Sequence, residues 1–313
     1  MISFLARRIL AALPVMFLVA LIAFSLLYFA PGDPAAVIAG DMAQPADIAA
    51  IRETLGLNQP FHVRLGIFLW NTFRGDLGIS IFSHKPVTAL IAQRLEPTLS
   101  LAVLTIIISI AVAVPLGTLA AWRARGLIDR IAMAIGILGF SVPVFVIAYL
   151  MIWFLSVKLA WFPVQGYTPL ATSWSGWFYN LILPALSLST VYVALITRIT
   201  RASVIEVLSQ DYIRTARSKG LSEHVVLLRH ALRNAAVPIA TIVGIGVALL
   251  MGGVVVTETV FAIPGLGRLL VDAILQRDYP VIQGVLILLS AIYVAVNLLV
   301  DISYAIFDPR IRN

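Results

Sequence analysis

Residues 210–238 read QDYIRTARSKGLSEHVVLLRHALRNAAVP, a basic, helix-forming stretch set between two segments too apolar to live in water. Asp211 suits the cap of a short helix running through Lys219. The Arg and Lys residues complement its negative C-terminal end, and Gly220 supplies a left-handed stop. Ser222 opens a second helix, expected from Glu223 to about Val237 and ended by Pro238. A first helix of about nine residues is marginal alone, because so few hydrogen bonds return less than nucleation costs. It needs a surface to lie on. Two surfaces suit it: a second protein, or lipid phosphates attracted by the Arg residues of a solvated basic loop.

The flanking segments decide the class. With 61% hydrophobic residues, 12% charged residues and a mean hydropathy of +1.00 over 313 residues, the chain reads as an all-α, multi-pass membrane protein with no separable soluble domain. The formal charge of +7 does not mark a nucleic-acid binder, since Lys and Arg sit in short loops between apolar runs. The absence of Cys excludes structural disulfides, thiolate metal sites and a Cys nucleophile.

Six apolar runs are expected to span the membrane, at residues 9–30, 99–122, 131–157, 181–197, 239–261 and 281–306. The first is longer than the apolar core of a secretory signal, about 7–15 residues, and reads as a retained span. Residues 31–98 form an outer loop with amphipathic segments at Asp47–Leu57 and Phe61–Phe73. In the second of these, Phe61, Leu65, Phe68, Leu69 and Phe73 share one helical face, as in a helix lying on the membrane or over the bundle. Gly75–Gly78 is a turn. Pro115, Pro143 and Pro184 permit kinks in or beside the spans, and Gly136 and Gly139 permit close helix packing. Of the 22 Lys and Arg residues, fourteen fall on the side of the N-terminus and eight on the other, five of the eight in the long first loop. Both termini and the 198–238 loop are therefore expected in the cytosol.

Chemistry is sparse. No Gly-Lys dipeptide occurs, so there is no phosphate-binding P-loop, and ATP hydrolysis must come from elsewhere if it drives this chain. His62, His84, His224 and His230 form no zinc motif, no nucleophile elbow is present, and no catalytic or metal site is expected. Lys158, Glu258 and Asp301 lie near span ends, where snorkelling or a helix-end salt link accounts for them. Glu258 precedes Phe261-Ala262-Ile263-Pro264-Gly265-Leu266-Gly267, so Glu258, Pro264 and Gly265 form a candidate outer gate or vestibule. What remains is a six-span scaffold with a docking element. A self-contained channel or an ion-coupled carrier using Glu258 or Asp301, and a plain membrane anchor, stand as rivals.

The 210–238 stretch resembles the so-called EAA loop of permease subunits from bacterial ATP-binding-cassette importers that work with an external binding protein. Against the general pattern only Ala216, Gly220 and Leu232 agree. Asp211–Leu221 and His230–Pro238 are similar throughout to the variant found in the peptide and nickel branch. Pro31-Gly32-Asp33-Pro34-Ala35, Gly75–Gly78, Gly139–Pro143, Phe162-Pro163, Glu258–Gly267, Arg277-Asp278-Tyr279-Pro280 and Asp308–Arg312 extend the likeness to the first permease subunit of dipeptide and oligopeptide importers. The resemblance implies a heterodimer with a homologous six-span permease in the bacterial inner membrane. It also implies two cytosolic ATPases carrying ATP and Mg, and a periplasmic or lipid-anchored binding protein. The short helix would seat in an ATPase cleft. Tyr212, Ala216 and Leu221 would give apolar contact and Gly220 the corner. Arg214, Arg217 and Lys219, beside Asp211 and Thr215, would face the ATPase or lipid phosphates. Dipeptides or oligopeptides are the expected solutes. Relatives of similar sequence serve nickel complexes, glutathione, opines and oligosaccharides.

Overall fold

The computed structural model of the chain describes residues 2–29, 34–39, 44–54 and 56–307. Pro31-Gly32-Asp33 of the opening motif and the Asp308–Arg312 ending lie outside them. Short helices follow α1 (Ile2–Phe29): α2 (Pro34–Ala39), α3 (Pro45–Thr54) and α4 (Phe61–Phe73). Next come α5 (Val87–Trp122), α6 (Leu127–Ser141) and α7 (Val144–Met151), the last prolonged by a π-helical stretch, Ile152–Lys158. Then α8 (Trp174–Leu208), α9 (Asp211–Ser218) and α10 (Glu223–Val225) follow, with π-helical turns over Val226–Leu232. The chain continues in α11 (Ala236–Val260), α12 (Leu266–Gln276) and α13 (Tyr279–Phe307).

Four of these helices, α1, α5, α8 and α13, are long and apolar enough to cross a membrane unaided. The expected 131–157 span is broken by 102° between α6 and α7, and a 58° bend precedes the expected 239–261 run, between the α10 segment and α11, so the count reaches six only if each bent pair is one span. The physical reason for the first break is local. Pro143 forces the residue before it out of the helical region, and Val142 is extended at φ −91°, ψ 125°. Pro238 corrects a second expectation. It does not end a helix but lies in the first turn of α11, where its missing N–H leaves no intrahelical bond unmade.

The chain forms two compact units. One comprises Pro97–Pro264 and the chain from Ala295 on. Its centre is α8, with Leu181, Leu188 and Tyr192 buried among Leu101, Leu250 and Phe261. Helix α5 comes close enough at Gly117 that a Cβ there would stand 2.7 Å from the Thr197 carbonyl oxygen, so only glycine fits. At 35 residues α8 outruns the 181–197 run. It continues beyond Thr197 for about 16 Å. The expected 198–238 loop is therefore helical as far as Leu208. Arg201 on this extension forks onto Asp129 at the start of α6, Nη2 to Oδ2 at 2.7 Å and Nε to Oδ1. The same carboxylate accepts the Arg125 backbone N–H at 2.7 Å.

The second unit comprises Ile2–Glu96 and Gly265–Val294. Phe61 and Phe68 of α4 pack on Phe24 of α1, with ring centroids 5.4 and 5.2 Å apart, but Arg64 also lies over the Phe24 ring and Phe73 of the expected apolar face is exposed. Two turn motifs distant in sequence meet here. Asp278 accepts the Ser80 hydroxyl at 2.5 Å and the Ile81 and Phe82 N–H groups at 3.2 and 3.4 Å, which fastens the short hairpin that follows Gly75–Gly78. Helix α12, not distinguished in the sequence, buries Leu266, Leu269 and Ala273 against Val87 and Val285.

Candidate functional site

Helix α9 is the short helix expected between the spans, eight residues long. Asp211 is its first residue and not its cap. Gln210 occupies that position with extended backbone and no side-chain cap bond, and Asp211 instead meets Arg214 at 3.3 Å on the surface. The stop is as expected. Gly220 has φ +80°, its N–H donates to the Arg217 carbonyl at 2.9 Å, and the Leu221 N–H reaches back to the Ala216 carbonyl at 3.4 Å. This doubly bonded left-handed ending satisfies carbonyls that the helix leaves open.

The helix lies on its own chain through a narrow apolar edge. Ile213 and Ala216 are buried against Val226, with Val207 and Leu208 beside them. Ala216 therefore does not present its methyl to a second protein, contrary to the sequence-based expectation, and Ile213, which that reading overlooked, is the deepest side chain of α9. Asp211, Tyr212, Arg214, Thr215, Lys219, Gly220 and Leu221 are exposed. Arg217 forks onto Glu223 across the corner, Nε to Oε1 at 2.7 Å and Nη2 to Oε2 at 3.1 Å. These shared hydrogen bonds raise the Arg217 guanidinium and hold the Glu223 carboxyl below the usual carboxylate range. The pair's contribution is thus present at neutral pH and disappears as pH falls through the lowered Glu223 value. With both side chains nearly half exposed, it is worth under about 1 kcal/mol.

Nothing crowds Gly220: a Cβ built there meets no atom within 4 Å. Its requirement is for the left-handed backbone alone. Gly220→Ala is expected to destabilise the corner by about 1 kcal/mol and Gly220→Pro to abolish it, since proline fixes φ near −65°. Hydrogen exchange of the Leu221 amide reads both: faster exchange in the order Gly, Ala, Pro is the expected result, and equal rates would remove the corner's dependence on glycine.

The second candidate site does not survive as an open vestibule. Glu258 is fully buried and accepts the Thr98 hydroxyl at 2.5 Å, while its backbone carbonyl takes the Ile263 N–H at 2.8 Å. Pro264 is half-buried, and Gly265, in the other unit, is buried as the extended residue before α12. The Thr98–Glu258 hydrogen bond ties α11 to α5.

Residues 113–313 match the family described as binding-protein-dependent transport system inner membrane component, and residues 1–102 match the corresponding N-terminal family. The chain belongs to this permease family. A probable peptide ABC transporter permease protein of Sinorhizobium fredii is 52% identical over 309 residues, covering 99% of both chains. A putative peptide transport system permease protein of Brucella abortus is 49% identical over 312 residues, which is all of this chain and 99% of the relative. A glutathione transport system permease protein of Escherichia coli is 42% identical over 313 residues, again all of this chain and 99% of the relative. The permease is accordingly a multi-pass integral membrane component of an ABC transporter.

Proposed function

We propose that this permease, paired with a homologous partner in a bacterial inner membrane, forms the path for dipeptides or oligopeptides delivered by an external binding protein. Two ATPase subunits, which hold ATP and Mg, drive it from the cytosol. In this reading the two bent pairs are spans, giving six, and both termini are cytosolic, as the distribution of Lys and Arg favours. The names carried by the relatives from Sinorhizobium and Brucella support peptides as the solute, and the Escherichia relative makes glutathione, itself a peptide, the nearest variant.

The observation that carries the proposal is the exposed side of α9. Tyr212, 45% exposed, stands between Asp211 and a ladder of Arg214, Thr215 and Lys219, while the opposite edge of the helix is buried in its own chain. An aromatic ring rimmed by charge on a rigid support is the composition of a contact centre. Displacement of α9 passes directly into α8, because only Ser209 and Gln210 separate them.

Co-purification from native membranes tests this. The chain is expected to bring down a second permease and nucleotide-binding subunits. Tyr212→Ala with Arg214→Glu should lower ATPase recovery at least about tenfold, equivalent to 1.4 kcal/mol, while the second permease stays. Recovery of the chain alone would favour a self-contained channel or carrier. Peptide uptake in a deletion strain tests the solute separately: intact growth on peptides with loss of another solute would overturn that part.

A further inference from the structure

Helices α6 and α8 leave a groove of about 410 Å³ on one side of their contact. Met133, Ile137 and Phe140 line it from α6, Ala194 and Leu195 from α8, and Gly136 forms part of the floor. The wall is apolar except at two points. The Ser141 hydroxyl is already engaged, donating to the Ile137 carbonyl at 2.8 Å, and Arg198 closes one end. Arg198 is the first charge after the uncharged 181–197 run, so it stands where that helix leaves the hydrocarbon. The level is fixed independently by the next turn of α8, where Arg201 meets Asp129 at the start of α6. Asp129 neutralises Arg201. Among the described residues the Arg198 guanidinium has no such carboxylate. Arg130, exposed, precedes Met133 by about one turn of α6.

An apolar channel running into the membrane from a cation at the interface is complementary to one kind of molecule. We propose that this groove holds an acyl chain of an anionic phospholipid whose phosphate is bound by Arg198. Arg presents a planar fork that suits phosphate oxygens, and the stem beneath it lies along apolar surface. A peptide solute, carrying charge at both ends, finds no second charged group in the lining, and this decides against a solute site. The assignment is the same whichever side of the membrane Arg198 faces, and it does not depend on the solute.

Lipid retention by the intact transport complex tests it. Complex purified from native membranes is relipidated with equal amounts of dioleoyl phosphatidylglycerol and dioleoyl phosphatidylcholine, washed with detergent, and its retained lipid measured by mass spectrometry. Phosphatidylglycerol is expected to be retained over phosphatidylcholine, and Arg198→Gln to reduce that retention about fivefold. Gly136→Leu, which fills the groove without changing charge, should reduce it similarly. Its first added carbon meets only Ala194 backbone atoms at 3.8 and 3.9 Å, so the helices can stay in place. Arg233→Gln, an exposed charge outside the groove, should leave retention unchanged. Equal retention of the two lipids by the unaltered complex overturns the proposal without any variant. Unchanged retention in Arg198→Gln together with a raised KM for peptide uptake also overturns it and gives the groove to the solute.

Discussion

Ile213→Asp is expected to abolish solute uptake while the chain still inserts in the membrane, and Ile213→Ala to raise trypsin cleavage after Arg214 and Arg217 about 30-fold. Ile213 is fully buried, and only Ala216 and Val226, with Val207 and Leu208 alongside, complete the cluster that holds α9. The other links are weak. The Asp211–Arg214 pair is 94% and 77% exposed, and the Arg217–Glu223 pair nearly half exposed, so each contributes a fraction of a kcal/mol. Truncating a buried Ile to Ala costs about 2–5 kcal/mol. Even about 2 kcal/mol raises the detached population some 30-fold, and detachment opens Arg214 and Arg217 to protease. Asp at this position adds the cost of burying an unpaired carboxylate, several kcal/mol more. The span core is a separate cluster around Leu181, Leu188 and Phe261, which is why insertion should persist. Limited proteolysis of membrane vesicles beside an uptake assay measures both effects. Unchanged protection and uptake would show that α9 is held by something other than this edge.

The parts of this site legible in the sequence are those set by backbone rules. A glycine placed after a short amphiphilic run has one economical conformation, and Gly220 adopts it. The position of Asp211 was misjudged by one residue because Asp serves equally well as a cap or in the first turn. Ile213 was passed over because apolar contact was assigned to Tyr212, Ala216 and Leu221, and its burial depends on Val226 beyond the corner. The same limit hid the length of α8. Arg198 and Arg201 mark the end of an apolar run, but the helix persists because Val204 buries against Leu227, Ala231 and Ala235, which no count of charges registers. Pro143 announced a possible kink, yet nothing in the sequence distinguishes a mild bend from the 102° break. Glu258 was read as facing an outer vestibule because it precedes the Phe261–Gly267 motif. The Thr98 hydroxyl that encloses it lies 160 residues earlier in the chain.

Long-range pairing of that kind governs the largest expected stability effect outside α9. Asp129→Ala should destabilise the permease by about 3 kcal/mol, because removing one member of a buried ion pair strands the other. The lower end of the usual 3–5 kcal/mol applies, since the Arg201 side chain is 26% exposed while that of Asp129 is 5% exposed. Arg201→Met should cost a comparable amount by stranding the carboxylate. The double variant Asp129→Ala with Arg201→Met leaves neither charge behind and should be more stable than either single variant. It should still fall about 1 kcal/mol short of the unaltered protein, because the Arg125 N–H loses its acceptor. Asp129→Asn keeps an acceptor for the Arg125 N–H but turns its amide NH2 toward the Arg201 Nε–H, so its deficit reports the lost charge together with one of the two Arg201 hydrogen bonds. Heat-induced aggregation of the detergent-solubilised complex, followed for all four variants, gives the ordering. If the double variant loses the sum of the single losses, the two residues act independently, and the fork between α6 and α8 contributes nothing as a pair.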